Sequence, residues 1–556
     1  MSGSASASED LRRGSLPRAW PPVYPFLLAA FPFAYLLAEN IHELPIVEAV
    51  RPLVVTQAVV LGLILFLGLA GRSFGGAGLF VTGAILLFFS YGHVYGILEP
   101  VRVAGIQLGR HRYLVPLFAA LTILCAYVSL VRIERPERLS QVGLAMAVVL
   151  LALPLYQIGR GVIVQRTAWQ AGLVEAGDLL ESDDGAPLPD VYYIILDAYA
   201  RGDYMLGRHG FNNREFLNQL EAWGFYVADQ SNANHMWTAL SIASSLNMRY
   251  AFDLGLQLTP STYPGIFIEP IRHSRVRRIL EGLGYQTVGV PTGYLPTEIV
   301  DADMYFQLEG EPDRGESEGI MLTRFENLVL YSSAGLVLTD WLGPALYDWV
   351  GFRTDHPYDE LRRIILFEFD AIPRISAIEA PTFAFIHIAA PHSPYLFGAN
   401  GESREPSGAF TLIDGEPDAE PSTSALYRDQ AIYITTLTER AIESILAGSE
   451  TRPVIILQSD HGPGVGGEWQ TPEGEKVPER TAILNAYLLP EACRKDLYST
   501  ITPVNSFRVL MTCVFGQRFE MLDDQVYFSY WPRRAHYEFI DVTDRVLGPS
   551  QGLGGP

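Results

Sequence analysis

Five uncharged, apolar stretches follow one another at residues 20–38, 52–71, 73–98, 113–131 and 139–159. Nothing else in the chain constrains its fold so strongly. Crossing a bilayer as a helix takes about 20 apolar residues, and each stretch is of that order. Five such runs in succession read as membrane spans rather than as buried helices of a water-soluble core. The first run lacks a small-residue cleavage site and more spans follow it, so it reads as an anchor and not as a removable leader. The expected organisation is an N-terminal five-helix transmembrane region over residues 1–160, a connector at 161–189, a globular domain over 190–535 and a C-terminal tail at 536–556.

Basic residues give the orientation. With the N-terminus in the cytoplasm, the inner segments hold Arg12, Arg13, Arg18, Arg72, Arg132, Arg135 and Arg138, against Arg51, Arg102, Arg110 and Arg112 outside. An odd number of spans then puts the globular domain on the far, periplasmic side of the inner membrane. No span carries a carboxylate or Lys in its middle, which speaks against a proton or ion pathway. The net charge of -22 argues against nucleic acid as a partner, because phosphate backbones need a basic surface. The chain has 3 cysteines, too few for a disulfide framework. Cys125 lies in a span, so only Cys493 and Cys513 could pair, and the sequence leaves open whether they do.

Past residue 189 the pattern changes to alternating strand and helix, the mark of an α/β domain with a mainly parallel sheet. Residues 190–197, 382–387 and 453–459 are short, apolar, β-branched runs of buried-strand type. In open α/β sheets, ligands sit beyond the carboxyl ends of such strands. The three runs lead into Asp197, His387 and the pair Asp460-His461. His392 follows within a proline-flanked loop, and Thr238 stands where a polar loop feeds a helix. Free backbone N–H groups at a helix start favour an anion. Residues 309–318, acidic and glycine-rich, read as a solvated loop or lid.

Asp and His side chains with a hydroxyl suit Mn²⁺ or Zn²⁺ ahead of Mg²⁺, which disfavours imidazole. A metal beside Thr238 would lower its hydroxyl pKa and make it a nucleophile. The same metal and a helix N-terminus could stabilise a phosphoryl transition state.

The globular part resembles the sulfatase-like branch of the alkaline phosphatase superfamily. In arrangement the whole chain looks like lipoteichoic acid synthases and phosphoethanolamine transferases. The resemblance covers residues 187–530 and rests on segments 193–201, 238–247, 385–395 and 458–462, the last carrying Gln458-Ser459-Asp460-His461-Gly462. Segments 485–490 and 503–508 also match, without assigned chemistry. By position the resemblance implies that Asp197, Asp460 and His461 hold one divalent metal with Thr238 as the metal-linked nucleophile. It implies that His392 contacts the transferred group or protonates the leaving oxygen, with His387 in support, and the two could exchange roles. True sulfatases carry a Cys or Ser that is oxidised to formylglycine, followed by Pro and Arg at fixed spacing. Here Thr238 is followed by Ala239 and Leu240, which turns the expectation from sulfate esters to phosphoryl chemistry.

The expected activity is that of a membrane-anchored transferase. It would move a phosphate-linked group from a phospholipid-type donor, through a phospho-Thr intermediate on one metal, to a glycan or lipid acceptor of the envelope. A phosphodiesterase or phosphatase with water as acceptor is the alternative. A catalytically dead binding or scaffold domain is the third reading, and retention of Asp197, Thr238, Asp460 and His461 together tells against it.

Overall fold

The computed structural model describes residues 22–40, 46–71, 73–98, 101–103, 106–134, 136–172, 188–256, 258, 264–308, 322–339, 341, 357–407, 412, 422–530 and 538–547. The loop at 309–318 lies outside them. Two compact units emerge, one built on residues up to 160 and one on most of the remainder.

The first unit is helical, with α1 (Tyr24–Glu39), α2 (Val50–Ala70), α3 (Phe74–Leu98) and α4 (His111–Tyr127), followed by the start of α5 (Pro136–Gly172). Among the described residues, four segments are long and apolar enough to cross a membrane, Ile46–Ala70, Phe74–Leu98, His111–Arg132 and Leu139–Arg160. At 16 residues α1 is shorter, reaching about 24 Å at 1.5 Å per residue. The α5 helix runs to Gly172, so the stretch assigned to the connector begins as helix. Phe66, Ile123 and Val149 are each 70% exposed or more. Large side chains facing outward from the uncharged middles of these helices reverse the pattern of a water-soluble protein.

A helix from much later in the chain, Arg324–Tyr331, also belongs to this unit. Thr323 and Glu326 close a capping box at its start, satisfying two orphan amides reciprocally. Glu326 also pairs with Arg51, the Phe325 amide donates to Glu48 Oε2 at 3.1 Å, and the Phe325 ring lies 6.3 Å from that of Phe33. Gly92 lets the chain come this close, since a Cβ there would meet the Ser332 carbonyl carbon at 2.4 Å. The sequence reading keeps this stretch within 190–535. The contacts that reassign it join residues more than 230 positions apart, which no local pattern reports.

The second unit is built on a sheet of strands β1 (Val191–Leu196), β2 (Tyr226–Val227), β3 (Gln286–Gly289), β4 (Met304–Tyr305), β5 (Thr382–Ile388), β6 (Val454–Gln458) and β7 (Asn485–Leu488). Their order is β2-β7-β6-β1-β5-β3-β4. The pairs β1–β5, β1–β6, β3–β5 and β3–β4 are parallel, while β7 pairs antiparallel with β6 and β2. The mainly parallel sheet expected from the sequence is present. Side chains alternate between its two faces, as strand pleating requires. Tyr192, Ile194 and Leu196 join one core with helices Pro357–Ile375 and Ser424–Gly448. Val191, Tyr193 and Ile195 join the other, with helices Thr238–Asn247 and Pro503–Val514. Both faces are therefore covered, which explains why the strands read as continuous apolar runs.

Cys493 and Cys513 form a disulfide with 20 residues of separation. The tail is not all tail: Ile540–Asp541 pairs antiparallel with Tyr527–Phe528. Val542 is buried in a small cluster with Met236, Val477, Val526 and Phe528. A two-residue strand is too short to carry a period, so composition alone marks this stretch as an appendage.

Candidate metal centre

Strands β6, β1 and β5 lie side by side in the middle of the sheet, so their carboxyl ends deliver Asp460, Asp197 and the 387–392 segment to one place. Backbone bonds hold them there. The Asp197 amide donates to Ile388 O at 3.0 Å and the His392 amide to Asp197 O at 3.0 Å. Ala198, directly after Asp197, has a φ of 63°, a left-handed conformation that costs a side chain with Cβ about 1–2 kcal/mol. In that conformation its amide donates to Asp460 Oδ1 at 3.1 Å, tying one strand end to the other.

The histidines are oriented by their second nitrogens. His461 Nδ1 lies 3.0 Å from Gly462 O. A carbonyl only accepts, so Nδ1 carries the proton and Nε2 presents a lone pair. His392 Nδ1 is likewise committed to Ser393 O. His387 Nδ1 meets Thr297 Oγ1 at 3.0 Å, and Thr297 donates its own proton to Tyr294 O at 3.0 Å. With that donation made, His387 Nδ1 is the donor and its Nε2 is left as an acceptor. Thr297 thereby fixes a tautomer in the way a partner behind a metal-bound imidazole does.

His387 Nε2 lies 3.6 Å from Asp197 Oδ2, too far for a hydrogen bond. His461 Nε2 lies 3.7 Å from Asp197 Oδ1 and 3.3 Å from Asp460 Oδ2. Asp197 Oδ1, Asp460 Oδ2 and His387 Nε2 are buried polar atoms with no hydrogen-bond partner. Buried polar atoms are normally satisfied, so several orphans converging on one point call for a cation. Ligand atoms lie within 4.8 Å of one another in the overlapping groups Asp197, His392, His461 and Asp197, His387, Asp460. A carboxylate-imidazole donor set of this kind fits a divalent ion such as Zn²⁺ or Mn²⁺.

Charge agrees with that donor set. Burial pushes the Asp197 carboxyl up, but the positive charges that His392, His387 and His461 carry when protonated outweigh it and hold the group well below the usual range. Burial, and then the Arg480 guanidinium, push the His461 imidazole below its ordinary 6.5. A neutral imidazole beside an ionised carboxylate is the state a metal ligand needs.

Thr238 is the first residue of helix Thr238–Asn247, which starts with no capping side chain. Its Oγ1 lies 3.2 Å from His461 Nε2. Arg480 Nη2 reaches the same nitrogen at 3.2 Å. The Gly462 amide donates to Arg480 O at 2.7 Å, and Arg480 Nη1 donates back to Gly462 O at 3.1 Å. A Cβ on Gly462 would sit 2.0 Å from Glu479 O, so only glycine lets the 477–481 turn close on the strand end.

Asp197, Thr238, His387, His392, Asp460 and His461 thus come together. Two neighbours escaped the sequence reading. Thr297 sits in a three-residue 3-10 turn and Arg480 in a five-residue helix, neither long enough to show a period. The weak signal for Arg480 was the nearness of a basic residue to the Asp460-His461-Gly462 segment, 18 positions upstream of it at Gly462.

The four motif segments of the sulfatase-like resemblance meet at one point. No family model matches the chain, and no curated protein matches it. Among solved structures, it is similar to the C-terminal periplasmic domain of EcEptC from Escherichia coli in complex with Zn, at 13% identity and a TM-score of 0.39 over 65% of this chain and 94% of that one. It is similar to the integral membrane lipooligosaccharide phosphoethanolamine transferase A of Neisseria meningitidis, at 12% identity and a TM-score of 0.35 over 85% and 89% of the two chains. The phosphonate monoester hydrolase of Agrobacterium radiobacter matches at 14% identity and a TM-score of 0.37, over 62% of this chain and 80% of its own. At such scores the chemistry has to be argued from this chain's own residues.

Proposed function

We propose that this protein is a membrane-anchored, metal-dependent phosphotransferase in which Thr238 carries the transferred group. The observation that carries the proposal is Thr238 Oγ1 at a helix start, 3.2 Å from His461 Nε2, beside the unpartnered oxygens of Asp197 and Asp460. Asp197, Asp460, His461 and Thr238 are the proposed ligands, with His387 and His392 completing the donor set or handling protons. Held there, a divalent ion would lower the hydroxyl pKa and offset phosphoryl charge.

In the first half-reaction Thr238 Oγ, having lost its proton to water beforehand, forms a bond to phosphorus as an alkoxide while the bond from phosphorus to the donor's oxygen breaks. The departing oxygen takes its proton from His392. In the second, an acceptor hydroxyl bonds to phosphorus, the bond to Thr238 Oγ breaks, and His392 recovers a proton from the acceptor. A phospholipid-type donor and an envelope glycan or lipid acceptor agree with a catalytic domain following membrane helices. The proposed topology has five spans, α1 to α5, a cytoplasmic N-terminus and an extracytoplasmic second unit. The Cys493–Cys513 disulfide supports that side of the membrane, since disulfides persist where the surroundings are oxidising.

The test uses the full chain in detergent with bis(p-nitrophenyl) phosphate, with Mn²⁺, Zn²⁺ or Mg²⁺ restored after chelation. Turnover is expected only with metal and with an added alcohol such as glycerol as acceptor, and Thr238→Ala should lower it by about 10³-fold or more. Release of product without any added alcohol would make water the acceptor and the protein a hydrolase. Absence of both turnover and bound metal would refute the enzyme reading.

A further inference from the structure

We propose that residues 322–341 form a re-entrant element that dips into the outer half of the membrane and returns, turning Leu338 and Trp341 to the lipid acyl chains. The proposal rests on the reading of the first unit as a five-span membrane region with the second unit outside. It adds a second attachment of the globular part to the bilayer, besides α5.

The segment interrupts the second unit, which the chain leaves after residue 311 and rejoins at 356. Residues 327–339 hold no charge. A run of that length is too short to cross a bilayer and is the length of a buried or re-entrant segment. Its contacts trace a path in and out. At the entry Glu326 pairs with Arg51, next to the first residue of α2. At the bottom the Ala334 amide donates to Phe88 O at 2.8 Å, and the Ser332 carbonyl lies against Gly92, both within α3. Phe88 is about 21 Å along α3 from Phe74 at 1.5 Å per residue, inside a hydrocarbon layer about 30 Å thick. At the exit the Trp341 ring lies 6.2 Å from that of His111, the first residue of α4. In the five-span topology the start of α2, the second half of α3 and the start of α4 all belong to the side where α5 ends.

A turn at that depth has no water to hydrogen-bond its backbone, so the protein has to do it. Every amide from Ser332 to Val337 is satisfied in this way. Ser332 donates to Leu328 O at 3.0 Å, Ser333 to Leu330 O at 3.2 Å and Ala334 to Phe88 O. Gly335 donates to Ser333 Oγ at 3.1 Å, and Leu336 and Val337 donate to Ser333 O and Ala334 O, each at 3.2 Å. The hydroxyls of Ser332, Ser333 and Thr339 also donate to carbonyls within the segment. Leu338 and Trp341, three positions apart on one face of a helical turn, are 50% and 59% exposed. They continue the apolar outer surface of the neighbouring spans, and Trp is favoured where a membrane meets water. Lipid is the partner that fits this face.

The test places the full chain in vesicles of phosphatidylethanolamine and phosphatidylglycerol, with and without bromine on the acyl chains. Subtracting the emission of Trp341→Phe from that of wild type isolates Trp341. That component should lose most of its intensity in brominated lipid and change little when iodide is added to the water. Moving the emitter one turn deeper, with Leu338→Trp in the Trp341→Phe chain, should restore an emission that bromine quenches. Should that double variant misfold, the Trp341 component decides. Emission quenched by iodide alone would place the segment in water, and emission touched by neither quencher would bury it against protein; either result overturns the proposal. Protease access to the second unit is read separately in intact spheroplasts. A second unit cleaved from outside, with Trp341 untouched by bromine, would sink this proposal and spare the topology. Quenched Trp341 with a protected second unit would overturn the topology and leave the dip, in the opposite leaflet.

Discussion

His461 and His235 are buried to the same degree, and they show how differently a protein uses an enclosed imidazole. At the sheet's carboxyl end, His461, His387 and His392 each have Nδ1 occupied, and the cluster faces two carboxylates with unpartnered oxygens. His235 instead sits among aromatic rings, with Tyr527, Phe539 and Tyr250 centred 5.5–6.3 Å away. Its Nε2 accepts the Ala251 amide at 3.3 Å, and no carboxylate accounts for its state. Burial alone pushes it down to about 3. Depth of burial does not distinguish a site from a core. What distinguishes them is whether the remaining lone pair faces a carboxylate that itself lacks a partner.

The comparison breaks most visibly if Asp197 is neutralised. Asp197→Asn removes the carboxylate common to both ligand groups and should weaken metal binding by about 100-fold or more, as measured by competition with a chromogenic chelator. Unchanged affinity would reduce the cluster to a buried ion-pair network. A smaller effect is expected one layer out. Thr297→Val leaves His387 Nδ1 without the acceptor at 3.0 Å, and metal affinity should drop by about 10-fold to 100-fold with the fold intact.

The smallest effect belongs to His235 and appears as a dependence on pH. The folded state holds His235 neutral, with its pKa pushed down to about 3, while the unfolded chain titrates near 6.5. Its contribution to stability is therefore fully present above about pH 6.5 and is lost as pH falls towards 3, at about 1.4 kcal/mol per unit. His235→Phe should lower the thermal midpoint at neutral pH, flatten its decline between pH 6.5 and 4.5, and spare turnover. An equally steep acid limb in the variant would place the titration elsewhere.

Much of this arrangement was legible in the sequence, because the chemistry sits at the ends of continuous apolar strands. Ile194, Ile195 and Leu196 announce a buried strand, and the polarity break at Asp197 marks where it ends. The same holds at Gln458 before Asp460. Thr238 could be placed because a polar loop gives way to small apolar residues at a helix start. Arg480 and Thr297 were not legible, since tertiary folding alone brings short turns against the strand ends. The packing of helix Arg324–Tyr331 is hidden from the sequence for a related reason: its partners Arg51, Glu48 and Phe33 lie far away along the chain. The short α1 shows a different limit, because composition reports that a segment is apolar and not how far it stays helical.

The most direct test of the metal centre is elemental analysis of the full chain purified without added metal, beside Asp197→Asn and His235→Phe. About one or more equivalents of zinc or manganese should accompany the wild type and His235→Phe, and Asp197→Asn should carry little. A metal-free wild type, or equal metal in all three proteins, would contradict the account.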